Sequence, residues 1–262
     1  MKVFNYHSAK SVKEATKLAS SGSAYLSGGM TMIPSMKMRL ASYKDVIDVK
    51  HIKELQGIKV SGKRVTIGAA TKHSDVANSK EVQKSILSLS FLAGRIGDVQ
   101  VRNRGTIGGS IANNDPTACY PAACLALNAI IHTSARKIEA DKFFKGMFET
   151  ALKKGELITS VEFSIPEKSY YFKFPNPASR YAMVGVFVAK FKSGVQVAVT
   201  GAQSSVYRET AIEKALDKNF STSALDGVSI DSSELNSDIH ASAEYRASLI
   251  LSSAKQAVAH CK

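Results

Sequence analysis

The segment "VRNRGTIGGSIANND", residues 101–115, decides how the chain is read. Two arginines, Arg102 and Arg104, precede three glycines, Gly105, Gly108 and Gly109, and the polar run Asn113, Asn114, Asp115 closes it. Glycine weakens helices and strands alike, so the composition predicts a loop. Two readings stand at this point: a structural turn, or a backbone cradle for an anion.

A second glycine pair lies upstream in "YLSGGMTMIPSMK", residues 25–37. Both segments read as a strand, a glycine pair and a turn. Glycine reaches positive φ, and its missing side chain lets a ligand approach the main chain. Successive exposed N–H groups then form a concave anion site. Two such cradles could hold a pyrophosphate between them, with Ser27 or Thr31 and Thr106 or Ser110 adding hydroxyl donors. A lone glycine pair is more often only a turn device. Neither segment matches the P-loop pattern or the Rossmann fingerprint, so a dinucleotide would need another architecture. Arg102 and Arg104 either pair with phosphate or brace the loop, and the bracing role is favoured. Asp115 either accepts from a ribose or ribityl hydroxyl or caps a helix after Pro116.

Working outward, residues 8–20 predict a helix capped by Ser11 and Glu14 as a capping box. "SAYLSGGMTM" (23–32) predicts a strand entering the glycine turn, and residues 44–52 predict another. Residues 57–70 predict a hairpin around Ser61-Gly62-Lys63. Apolar residues at 82, 86, 89, 92 and 96 predict one helix over 81–97. Residues 117–133 predict a buried helix entered at Pro121 and then a strand, and 156–166 a further strand. Three prolines in 165–179 predict a boundary. Strands follow at 182–191 and 195–203, joined at Ser193-Gly194. A last helix over 242–261 has the apolar stripe Tyr245, Leu249, Ile250 and Ala254. Without strict βαβαβ alternation, the fold class expected is α+β.

The chain has 262 residues, of which 44% are hydrophobic and 22% charged, enough for one large domain or two to three small ones. No apolar run approaches the ~18–20 residues a membrane span needs. The N-terminus has no secretory h-region, which points to a cytoplasmic protein. Three cysteines argue against a disulfide framework, and Cys119 and Cys124 lack the partners of a zinc or iron–sulfur motif. Any redox metal would sit on another chain. The net charge of +13 suits solubility or an anionic partner. The basic residues are scattered, which argues against nucleic acid. Residues 226–244 carry five acids and no Lys or Arg, so the positive excess lies before them. The six histidines have no evident partners, and His73 reads as a helix-start residue. Without a nucleophile–base set, the chain suits a cofactor binder that leaves bond-breaking to another subunit.

The strings "SGGMTMIPSMKMRLA", "DVIDVKHIKELQGI", "IGAATKHSDV" and "IGDVQVRNRGTIGGSIANNDP" together resemble the FAD-binding medium subunits of molybdenum hydroxylases, of the aerobic carbon monoxide dehydrogenase type. The likeness continues through "FFKGMFETALKKGELITSVEF", "PASRYAMVGVFVA" and "DIHASAEYRASLI", spanning about residues 3 to 260. The resemblance implies a vanillyl-alcohol-oxidase (PCMH)-type FAD-binding fold. Its parts would be an N-terminal α/β subdomain (1–55), a middle subdomain (56–166) and a C-terminal CO-dehydrogenase-flavoprotein-like subdomain (167–262). FAD would lie between the first two. The first pyrophosphate loop carries over to Ser27, Gly28, Gly29, Met30 and Thr31, flanked by Leu26 and Met32. The second carries over to Thr106, Ile107, Gly108, Gly109 and Ser110. Further contacts fall on Asn113, Asp115, Leu157, Ile158 and Lys173.

The family usually has a histidine or asparagine where Met30 stands, and an acid where "DPTACYPA" places Cys119. A thiol cannot replace a carboxylate acceptor. Cys119 as a redox thiol is the other reading, against the usual inertness of buried cysteine. The implied function is electron transfer. A large molybdopterin subunit would oxidise the substrate, and a small two-[2Fe–2S] subunit would feed electrons to FAD here. From FAD they would pass to quinone, oxygen or another acceptor. The assembly implied is a dimer of heterotrimers, with at most a peripheral membrane or quinone contact. The alternatives are a stand-alone flavin-dependent oxidoreductase of the same fold and a basic nucleic-acid-binding module.

Overall fold

The computed structural model describes residues 1–261. The chain opens with β1 (Asn5–Ser8), α1 (Val12–Leu18), β2 (Ser23–Leu26), α2 (Met32–Lys37) and β3 (Asp45–Asp48). The three strands form a parallel sheet in the order β1-β3-β2. The βαβαβ alternation missing from the chain as a whole is therefore present in its first 48 residues. The capping box of α1 is offset by one residue. Ser11 Oγ accepts from Glu14 N (3.1 Å), while the Glu14 carboxylate accepts from Lys10 N (2.8 Å). Ala9, Ala15, Ile47, Val49, Ile52 and Leu55 make a small core against which Ala70 and Leu157 pack.

The hairpin β4 (Ile58–Ser61) and β5 (Arg64–Gly68) begins a second sheet. Helices follow: α3 (His73–Asn78), α4 (Lys80–Ser85), α5 (Leu87–Gly94), α6 (Val99–Arg104), α7 (Ile107–Asn113) and α8 (Tyr120–Ala126). Then come β6 (Ile130–Thr133), β7 (Lys137–Glu139), α9 (Ala140–Phe143), the short pair β8 (Phe144–Gly146) and β9 (Glu149–Thr150), and β10 (Ile158–Ser164). This sheet is antiparallel, in the order β4-β5-β10-β6-β7. The single helix expected over 81–97 is two helices, because Ile86 takes φ −144° and ψ 78°. Ile86 is buried with Leu89 and Leu92, so core packing overrides the continuous apolar stripe.

The boundary expected across 165–179 is narrower than its prolines suggest. Most of that segment is β11 (Lys168–Pro175), and only the short link before it crosses between sheets. Pro175 closes the strand and Pro177 lies in the next loop, where neither blocks a central ladder. With β12 (Ala182–Phe191), β13 (Gly194–Thr200) and β14 (Tyr207–Arg208), β11 forms a four-stranded antiparallel sheet. Tyr171, Phe187 and Ala198 on one face join the central core. Val186, Val188, Val197 and Val199 on the other are covered by α10 (Thr210–Lys218) and α11 (Ala243–His260). Tyr245, expected in the buried stripe of α11, is exposed, and Arg246 is buried beside it. Arg246 donates to Met183 O (2.8 Å), Gly201 O (3.1 Å) and the Asp238 carboxylate (2.7 Å). These partners let a guanidinium take an interior place.

Candidate functional site

A cleft of about 730 Å³ is lined jointly by the N-terminal parallel unit, the α5–α8 region, the start of β10 and the β11–β12 loop. It is built at the carboxyl end of β2, the position where open parallel sheets receive ligands. After Leu26 the chain turns through Gly28 and Gly29, the latter at φ +71°, and enters α2. Thr31, immediately before α2, makes no side-chain cap bond. Among the described residues, the backbone N–H groups of Gly29, Met30 and Thr31 meet no protein acceptor. They form the open amide cradle that the sequence predicts here.

The second glycine segment is built differently, and the expected strand–glycine–turn is corrected to helix–turn–helix. α6 ends at Arg104, and Thr106 caps α7, its Oγ1 accepting from Gly109 N at 3.2 Å. Ile107 and Ile111 bury in the core, and Asn114 closes the helix in the left-handed region at φ 43°. Asn114 also donates to Gly146 O and Glu149 O, both at 2.8 Å. Cap, core residues and C-terminal anchor together outweigh the weak helix propensity of the glycines. Most amides of this segment are committed to the protein. Ile107 N donates to Thr71 O (3.1 Å), Gly108 N to Ala69 O (2.9 Å) and Ser110 N to Thr106 O (3.0 Å). The second loop therefore offers the cleft the Ser110 hydroxyl and the bare surface of Gly109, not a second full amide cradle.

The glycines themselves divide into two kinds. A Cβ on Gly28 would stand 2.2 Å from Arg104 O, and one on Gly108 would stand 2.6 Å from Ala69 Cβ. Both lock protein backbone against protein backbone. At Gly109 a Cβ would meet nothing nearer than Thr106 Oγ1 at 3.1 Å, so that position is the open one. Ser27 Oγ and Thr106 Oγ1 are 2.9 Å apart and tie the two loops together. The expectation that Gly28 and Gly108 are glycine to admit a ligand is thus corrected: they are glycine to let the loops interlock.

Arg102 braces its own loop, donating to Ile96 O (3.0 Å) and Gly97 O (3.4 Å). Arg104 contributes the main-chain carbonyl under Gly28. Asp115 caps no helix. Its Oδ1 accepts from Thr117 N (2.9 Å) and Thr117 Oγ1 (2.6 Å) in a local turn, and α8 starts later, at Tyr120. Lys173, on β11, is buried and lines the cleft, and its ammonium donates to Arg95 O at 3.0 Å.

All the residues predicted for the site line this cleft except Ile107, whose side chain points into the core. Leu157 and Ile158 lie at the entry to β10, where Glu156 is clamped by Arg136 (3.0 Å), Thr133 Oγ1 (2.7 Å) and Lys153 N (2.8 Å). Burial pushes the Glu156 pKa up, but these bonds outweigh it and hold the carboxyl at about 2. Cys119 lies at the wall, 4% exposed, next to the central core.

Among the further residues that line the cleft, and that the sequence reading did not single out as contacts, are Tyr43, His73, Arg180 and Tyr181. His73 begins α3 as expected, but it is buried. Desolvation, then the charge of Arg102, lowers its pKa to about 4, so it is neutral near pH 7. A Cβ on Gly105 would stand 2.6 Å from its Nε2. Arg180, at φ 61°, and the half-exposed Tyr181 come from the β11–β12 loop. Their only sequence signal was membership in the "PASRY" string.

The model of the FAD binding domain in molybdopterin dehydrogenase matches residues 2–167. The glyceraldehyde dehydrogenase medium chain of Sulfolobus acidocaldarius is 35% identical over 224 residues, covering 80% of each chain. The carbon monoxide dehydrogenase medium chain of Hydrogenophaga pseudoflava is 33% identical over 276 residues, covering 97% of this chain and 96% of its own. A solved structure of carbon monoxide dehydrogenase from Hydrogenophaga pseudoflava superposes with a TM-score of 0.88 at 32% identity, over 98% of this chain and 96% of that one.

Proposed function

Because the chain belongs to the family of FAD-binding domains of molybdopterin dehydrogenases, we propose that it is the FAD-holding electron-transfer subunit of a molybdenum hydroxylase complex. The observation that carries this reading is the first glycine loop: free amides at Gly29, Met30 and Thr31, facing a cleft of about 730 Å³. That volume is within the ~300–1,000 Å³ usual for cofactor sites. The donor set suits a dinucleotide. Open amides and the Ser27, Thr31 and Ser110 hydroxyls meet a pyrophosphate, with Thr106 holding Ser27 and the α7 cap in place, and Gly109 lets it approach the floor. Leu157 and Ile158 offer an apolar wall, while Asn113 and Asp115 are polar partners for hydroxyls along the cofactor. The Lys173 ammonium, whose bonded partner is a neutral carbonyl, favours an electron-rich group. Leu26 and Met32 flank the first loop. Bound FAD would supply two-electron redox chemistry with one-electron exchange.

The medium-chain names of the relatives place them in assemblies with other subunits. In this reading a large subunit carries the molybdenum cofactor and sets the substrate, and a small subunit carries [2Fe–2S] clusters. Electrons pass from the small subunit through FAD to quinone, oxygen or another acceptor. Glyceraldehyde and carbon monoxide in the relatives' names fit one flavin module serving different substrates. A dimer of heterotrimers in the cytoplasm is the assembly proposed. No helix among the described residues is long and apolar enough to cross a membrane. The three sheets suit division at residues 1–55, 56–166 and 167–262.

The test is the absorption spectrum of the purified complex, with analysis of what denaturation releases. A flavin band and released FAD are expected. Their absence, with no gain on incubation with FAD, overturns the proposal. Substrate-dependent flavin reduction by the isolated chain would instead favour a stand-alone oxidoreductase.

A further inference from the structure

Three buried polar atoms without a hydrogen-bond partner gather behind one stretch of the cleft wall: His73 Nδ1, the Tyr120 hydroxyl and the Tyr171 hydroxyl. Both tyrosines are fully buried, and His73 and Tyr120 are ring neighbours at 5.4 Å. The Tyr171 hydroxyl lies beside the Cys119 thiol, and Tyr120 neighbours both Cys119 and Cys124. Of the three cysteines, only Cys119 lines the cleft. Cys124 is sealed in the core, and Cys261 ends α11. A buried hydroxyl without an acceptor carries its full desolvation penalty. One oxygen atom added to Cys119 sulfur would give the Tyr171 hydroxyl its missing acceptor. Lys173 lines the same cleft and donates to the main-chain carbonyl of Arg95.

We propose that Cys119 is an oxidation site in the cleft wall: hydrogen peroxide entering the cleft converts its thiol to a sulfenic acid held by Tyr171, and bound cofactor shields it. In the reaction the peroxide O–O bond breaks and an S–O bond forms. Sulfur gives up two electrons, and the second peroxide oxygen keeps its own hydrogen, takes the thiol proton and leaves as water. The product occupies the cleft wall, so an oxidised chain loads cofactor poorly until a thiol reductant restores Cys119. The shielding step rests on the reading that the cleft takes FAD, whereas the oxidation itself does not.

The experiment uses the full chain with and without FAD, exposed to hydrogen peroxide, trapped with dimedone and mapped by peptide mass spectrometry. A dimedone adduct on Cys119 is expected in the FAD-free chain, several-fold more than in the FAD-loaded chain, while Cys124 stays unmodified in both. In parallel samples without dimedone, FAD uptake, followed by flavin fluorescence, should fall with peroxide exposure and recover after dithiothreitol. Tyr171→Phe should lower the Cys119 yield and leave that of Cys261 unchanged. No adduct at Cys119 in the FAD-free chain overturns the oxidation site, and equal trapping with and without FAD overturns the shielding. Failure of the untreated chain to take up FAD removes the cofactor reading and the shielding together. Oxidation is then judged on the FAD-free chain alone.

Discussion

Gly28 and Gly109 are the same residue type in matching glycine pairs, yet they do different work. A Cβ on Gly28 would stand 2.2 Å from the Arg104 backbone oxygen, whereas one on Gly109 would meet only the Thr106 Oγ1 side-chain atom, at 3.1 Å, a contact relieved by a shift of a few tenths of an ångström. Gly28→Ala should therefore destabilise the protein itself, by about 2–3 kcal/mol, because backbone cannot yield as a side chain can. The loss should appear in thermal unfolding of the FAD-free chain. Gly109→Ala should leave that melting curve nearly unchanged and weaken FAD binding. Equal stability loss in both variants would contradict the division. Sequence reading assigned both glycines to ligand approach, since a close neighbour distant in the chain leaves no local signature.

At the scale of elements, the site depends on how β10 begins and how α7 is held. Glu156 fixes the entry of β10 through Arg136, Thr133 and Lys153 N, so Leu157 and Ile158 reach the cleft in fixed positions. Its folded pKa of about 2 lies below the ordinary 4.5. Between those values the unfolded chain binds a proton that the folded chain does not, so stability falls as pH falls. The contribution is complete above pH 4.5 and lost on acidification toward pH 2. Denaturant titrations at stepped pH should show this slope, and Glu156→Gln should flatten it. An unchanged slope in the variant would mean the clamp is not the cause. The helix α7 was illegible in sequence because its glycines oppose it. Its support comes from Thr106, the buried isoleucines and the grip of Asn114 on two distant carbonyls.

The whole molecule is three main sheets and the short β8–β9 pair, the C-terminal sheet sharing the central core with the middle one, and specific hydrogen bonds join the units around the cleft. Tyr25 on β2 donates to Gly155 O at 2.8 Å, tying the N-terminal unit to the segment before β10. Thr200 on β13 donates to Pro116 O and Ala118 O, both at 2.7 Å, tying the C-terminal sheet to the loop that carries Cys119. Tyr25→Phe should cost about 1 kcal/mol. Hydrogen exchange should then quicken in β1, β2 and β3 and stay unchanged in β11 to β13. Uniform quickening would show that the sheets unfold as one unit. A cleft shared by three units also explains why a single loop motif was a weak signal alone.

Sequence by itself determined the local grammar of this protein. The cap at Ser11, the hairpin at Gly62, the helix entered at Pro121, the alternating strand β10 and the apolar β-rich runs of β12 and β13 follow from propensity, turn chemistry and hydrophobic patterning. The long match of strings also named residues that, apart from Ile107, line one cleft. Tertiary structure alone decided what each of them does there. The open amides of the first loop, the committed amides of the second, the interlock at Gly28, the neutral buried His73 and the unpartnered hydroxyls near Cys119 all arise between residues far apart in the chain. The physical reason is that hydrogen-bond satisfaction, close backbone approach and desolvation are properties of packed neighbours, which a linear pattern does not contain.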